Sequence, residues 1–134
     1  MRTVPTIHTI TLGADPETFV TREVGKVRKR RTIVPSEMII KGACLNAYGG
    51  TVHRDGAQVE LHPNAGECRA NASNYLKGCF VALQAAVIEA RKTYGDDSIK
   101  VDFTQVIKLT KSELAKLPPE ARLLGCMPSF NIYG

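Results

Sequence analysis

The chain has 134 residues, enough for one domain with a single modest core. Apolar residues make up 43% of it, which excludes a disordered tail, and no apolar run is long enough to cross a bilayer. The formal net charge is +5, and five positive charges stand together in KVRKRR, Lys26 to Arg31, so the basicity is a local spike on an otherwise neutral chain.

The opening MRTVPTIHTITLG lacks the apolar stretch of a signal peptide, and a cytoplasmic product is expected. Within it IHTITLG, Ile7 to Gly13, alternates and is rich in β-branched residues, which predicts a strand. ADPE breaks it, because Pro16 donates nothing to a ladder, and TFVTREV resumes strand character. The basic run and TIVP follow, and Lys26, Arg28, Lys29, Arg30 and Arg31 are expected at a hairpin tip or on an arm, outside the core. Five like charges in so short a run are not buried without partners, and they suit a nucleic acid or an acidic surface. No aromatic residue interleaves them, so contacts to a nucleic acid would go to phosphates.

Asp55-Gly56 is a two-residue hairpin signal of type I′. That turn predicts Arg54 opposite Ala57, His53 opposite Gln58, Val52 opposite Val59 and Thr51 opposite Glu60. Alternation then places Val52, Ala57, Val59 and Leu61 on one face, and His53, Gln58, Glu60 and His62 on the other. NASNYLKGCFVALQAAVIEARKTYG is the strongest helix, with Tyr75, Leu76, Cys79, Phe80, Leu83, Val87 and Ala90 at three- and four-residue steps. Asn71 or Ser73 is expected to cap it and Gly95 to stop it, while Gly78 inside it suggests close packing against a sheet. Leu76, Phe80, Leu83 and Val87 are its expected buried line. SIKVDFTQVIKL predicts a strand, TKSELAKL a short helix with the capping box Thr110 and Glu113, and the final Phe130, Ile132 and Tyr133 the start of another strand. The order predicts an α+β fold: a mainly antiparallel sheet packed by one long helix and a short helix.

Cys44, Cys68, Cys79 and Cys126 form no C-x-x-C pair and match no zinc spacing; reduced thiols are expected. His8, His53 and His62 are not spaced as a metal triad. There is no P-loop and no G-x-S-x-G elbow. Asp15 and Glu17 in GADPE, with Asp55 and Glu60 in DGAQVE, are carboxylates that a hard cation such as magnesium would use if neighbouring strands brought them together. Asp15-Pro16 and Asp55-Gly56 are also ordinary turn pairs.

TLGADPETFV, IVPSEMIIKG, RDGAQVELHPNAG and LPPEARLLGCMPSFNIYG, in that order, resemble the phage-encoded carboxylate–amine ligases, the amidoligases with a glutamine-synthetase-like fold. The resemblance runs from Thr11 to Tyr133 and rests on a G-A-D-P-E opening, a D-G-x-x-x-E strand before a proline, and a later G-C-x-P-x-F-N segment. It implies the N-terminal half of such a ligase domain, with ATP and magnesium as cofactors and an amide bond formed through an acyl phosphate. By the same resemblance Glu17 and Glu60 are metal-facing carboxylates, and Asp15 and Asp55 shape the same cofactor-binding site. Family members continue into a second half with a His-x-His strand, and carry acids where this chain has Met127 and Ser129. The resemblance therefore implies that this chain alone does not turn over, and no residue is assigned a catalytic role. Two readings follow. One is an amidoligase-like domain of the bacterial host's cytoplasm. The other is a non-catalytic virion component that decorates, joins or binds, with self-assembly or a protein partner and no membrane.

Overall fold

The computed structural model describes residues 11–104 and 106–122. It contains β1 (Glu17–Val24), β2 (Arg30–Ile33), α1 (Ser36–Ile39), β3 (Cys44–Ala47), β4 (Gly50–Asp55), β5 (Gln58–Pro63), α2 (Arg69–Tyr94), β6 (Lys100–Asp102), α3 (Lys111–Lys116) and α4 (Pro119–Arg122). The strands lie in the order β2-β1-β5-β4-β3, with β6 also on β1, and the described strand pairings are antiparallel. This is the expected α+β class. The predicted strand at Ile7 to Gly13 lies mostly outside the described residues; its one described contact is the isolated bridge between Leu12 and Gly66. His8, Cys126, Met127, Ser129 and the expected last strand lie outside them too.

β1 pairs with three other strands. It pairs with β2 along Thr21 to Val24, with β6 along Phe19 to Thr21, and with β5 only at Glu17↔Glu60 and Thr18↔Val59. The β4–β5 hairpin differs from its expected register by one residue. Asp55 pairs with Gln58, so Gly56 and Ala57 are the central turn residues, and His53 lies opposite Glu60. Gly56 has φ +59° and no non-glycine residue among those described has positive φ, which is the type II′ pattern of glycine at the first central position. The expected face assignment survives for Val52, Val59 and Leu61 on one side and His53, Glu60 and His62 on the other, because the slip moves each partner by two positions along the other strand, a whole period of the pleat. Ala57, now a turn residue, is a correction: it is buried with Ile33 and Leu117 and not with Val52, Val59 and Leu61. Val52, Val59 and Leu61 are buried, and Ser36 Oγ donates to the Gly56 carbonyl at 2.9 Å to hold the turn.

α2 lies across the buried face of β3, β4 and β5. Its N-cap is Cys68, whose sulfur accepts from the Asn71 amide at 3.5 Å, rather than Asn71 or Ser73; Gly95, at φ +61°, ends it as expected. The buried line is Cys79, Leu83, Val87 and Ala90. Phe80 is a correction to the expected line: it is half-buried and stacks on Phe103 at 5.7 Å between ring centroids. Leu76 is half-buried at the edge of the core. β6 is shorter than expected, and Phe103 lies beyond its end and is exposed. α1, which the sequence pattern did not reveal, places Ile39 and Ile40 in the core.

α3 has the capping box. The Thr110 amide donates to Glu113 Oε2 at 2.9 Å and the Glu113 amide to Thr110 Oγ1 at 3.2 Å. Glu113 also receives the Arg30 guanidinium, with Nη1 to Oε2 at 2.8 Å and Nη2 on Oε1. The hydrogen bond from Arg30 holds the Glu113 carboxyl down at about 2, against an ordinary 4.5. Because the folded value is depressed, the stabilisation is whole above the ordinary value and is lost as pH falls through the interval from about 4.5 to about 2. Glu113→Gln should therefore flatten the loss of stability in that interval and leave the slope between pH 6 and pH 8 unchanged, as read from urea unfolding at each pH. An identical acid slope in the variant would show that this pair does not carry the dependence.

Candidate functional site

Antiparallel register sets the polar face of the sheet. Cα partners share a face, so Glu17↔Glu60, Glu60↔His53 and His53↔Cys44 form one row across β1, β5, β4 and β3. Asp55, two residues along β4 from His53, lies on the same face. At one end of this row a carboxylate oxygen from each of Glu17, Asp55 and Glu60 lies within 4.8 Å of the other two. Glu17 and Glu60 are half-buried and Asp55 is exposed. Asp15 is exposed and is not in this cluster.

His62 is two residues along β5 from Glu60, and its Nε2 sits 2.9 Å from Glu60 Oε2. Its ring stacks on His53, with centroids 4.2 Å apart and planes at 27°. Thr51 Oγ1 and His53 Nε2 are 2.7 Å apart. The hairpin thus holds Glu60 between carboxylates on one side and an imidazole on the other. Alternation in the sequence placed His53, Glu60 and His62 on one face. The stacking of the two histidines follows from the one-residue shift in register, which the Asp-Gly signal alone did not give.

The three carboxylates offer only hard oxygens, a donor set that fits magnesium better than a softer metal. Asp55 is exposed and Glu17 and Glu60 are only half-buried, which leaves positions around a cation for water or phosphate oxygens, the usual arrangement for magnesium held by one or two carboxylates. Asp55 also lines a cavity of about 300 Å³ with Pro35, Ser36, Glu37, Arg54, Gly56 and Pro118.

The basic run is divided by the fold. Lys29 pairs with Glu23 at 3.4 Å and Arg30 with Glu113. Arg31 is half-buried: its Nε lies 3.7 Å from Asp102 Oδ2 and donates to Thr21 Oγ1 at 2.7 Å, while Nη2 donates to the carbonyls of Thr21 and Ser98. Burial pushes the Asp102 carboxyl up, but hydrogen bonds from Thr104 and Thr21 and the charge of Lys100 outweigh it, and the net shift is downward. The expectation that all five cations lie on a tip or arm outside the core is thus corrected for Arg31, which is half-buried beside Asp102; Arg30 stays exposed but stands in β2 and is paired with Glu113, and both carboxylate partners lie on distant segments that no local pattern connects to them.

Among the described residues Cys44, Cys68 and Cys79 are free thiols, and burial pushes the Cys79 thiol up. No helix among the described residues is long and apolar enough to cross a membrane. Comparison with protein-family models, with curated proteins and with solved structures found no match to this chain.

Proposed function

We propose that this chain is an amidoligase-like domain whose Glu17, Asp55 and Glu60 hold a magnesium ion for the phosphates of a nucleotide. The observation that carries the reading is the meeting of three carboxylates from β1, β4 and β5 within 4.8 Å, drawn from the two sequence segments GADPE and DGAQVE that carry the family resemblance. Magnesium, when bound, supplies neutralisation of phosphoryl charge. The protein's own part is positioning: β1 and the β4–β5 hairpin fix the three acids, and the cavity beside Asp55, with Arg54 in its lining, gives the phosphates a place next to the cation. The chain by itself binds and does not turn over, in keeping with Met127 and Ser129 where the family carries acids.

Magnesium should raise the melting temperature of the wild-type chain. At about a hundred times its dissociation constant the stabilisation is about 2.7 kcal/mol. Glu60→Gln should remove most of this response while leaving the metal-free protein folded, since it relieves repulsion among the acids. A coupled assay should find no magnesium-dependent ADP release from the chain alone. A melting temperature indifferent to magnesium would overturn the cation site, and ADP release abolished by Glu60→Gln would overturn the claim of inactivity.

A further inference from the structure

We infer that the β1–β2 turn, residues 25–29, binds the phosphodiester backbone of a nucleic acid through Lys26, Arg28 and Lys29, a surface separate from the acid cluster. The fold sorts the five cations into two that hold the protein together and three that do not. Arg31 is committed to Asp102, Thr21 and Ser98, and Arg30 to Glu113. Lys26 and Arg28 have no ion pair or hydrogen bond among the described residues. The Lys29–Glu23 pair is exposed, and such pairs contribute about 1 kcal/mol or less, so a phosphate can displace it.

The turn has a defined shape. Gly25 has φ +104°, and a Cβ there would stand 2.3 Å from the Arg28 carbonyl oxygen. A glycine is therefore required where the chain reverses, and Lys26, Val27 and Arg28 are thrown outward, with Val27 96% exposed. Such a turn carries few charges on a small surface. A partner must present charge densely enough to meet all of them at once. The duplex backbone, with a charge about every 1.7 Å of axis, does so and releases counterions when neutralised; a protein surface with scattered carboxylates does not. The turn lacks aromatic residues, so its contacts go to the backbone without base stacking.

The test is fluorescence anisotropy of the full chain with a labelled DNA duplex of about 20 base pairs, the corresponding RNA duplex, and a polyglutamate peptide, across about 50–200 mM salt. Wild-type protein should bind both duplexes more tightly than the peptide, with affinity falling steeply as salt rises. The double variant Lys26→Ala/Arg28→Ala should keep its melting temperature, because neither side chain has an internal partner. Its slope of log affinity against log salt should be shallower by roughly 2, about 0.9 for each lost phosphate contact. Peptide binding as tight as duplex binding would assign the turn to an acidic protein and overturn the inference. So would absence of duplex binding at the lowest salt, or an unaltered slope in a folded double variant.

Discussion

Gly78→Ala should lower the melting temperature by several degrees, although alanine is the better helix former by about 1 kcal/mol. A Cβ at Gly78 would lie 1.9 Å from the carbonyl oxygen of Tyr48, and backbone is the part of a neighbour least able to give way. Overpacking of this kind costs about 1–3 kcal/mol. The upper end is expected here, because the turn that must move is itself fixed. Gly49, at φ +73°, sits against the Tyr75 ring, and a Cβ at Gly50 would meet the His62 carbonyl oxygen at 2.3 Å. The strain would thus spread from the β3–β4 turn into the β4–β5 hairpin. A calorimetric melt of the variant equal to or above wild type would show that α2 does not seat against that turn.

Leu83→Ala should cost about 2–5 kcal/mol, the penalty for a large buried side chain whose cavity the surroundings fill only in part. Leu83 is completely buried in the cluster that includes Val52, Val59, Leu61, Cys79 and Val87. Phe80→Ala is the informative control. Phe80 is the larger residue, but it is half-buried and its stacking partner Phe103 is 66% exposed, so its truncation should cost less than that of Leu83. Urea denaturation of both variants gives the order, and a reversed order would rotate α2 about its axis relative to the face described above.

How far these features could be read from the sequence depends on the range over which each is determined. The II′ turn and the short α1 failed on local grounds. Asp55-Gly56 signals a hairpin, but whether aspartate or alanine shares the turn with glycine is decided by which pairs form along β4 and β5. Phe80 fits the helical periodicity as well as Cys79 does. The choice between them is set by where the sheet lies, and the small Cys79 is the residue that fits beside Gly50. By contrast the capping box of α3, the αL stop at Gly95 and the two faces of the β4–β5 hairpin rest on patterns a few residues long, and each was legible. The acid cluster was legible only in part. The resemblance implies one site for Asp15, Glu17, Asp55 and Glu60; the antiparallel return of β4 and β5 beside β1 brings Glu17, Asp55 and Glu60 together and leaves Asp15 outside the cluster. The burial of Arg31 is not legible in the sequence because its anchors, Ser98 and Asp102, lie 67 and 71 positions away along the chain.

The two-pair junction of β1 with β5 has a kinetic meaning. Beyond Glu17↔Glu60 and Thr18↔Val59, that junction is continued by one hydrogen bond, from the Leu61 amide to the Pro16 carbonyl at 2.9 Å. One member of the acid cluster stands on the β1 side of this seam and two on the hairpin side, so brief parting of the seam would separate the ligands of any ion between them. Such partial opening is the kind of event that amide hydrogen exchange resolves below the level of global unfolding. The exchange lifetime of the Leu61 amide therefore measures how long the three carboxylates stay assembled, and an ion that bridges them acts as a clasp across the seam.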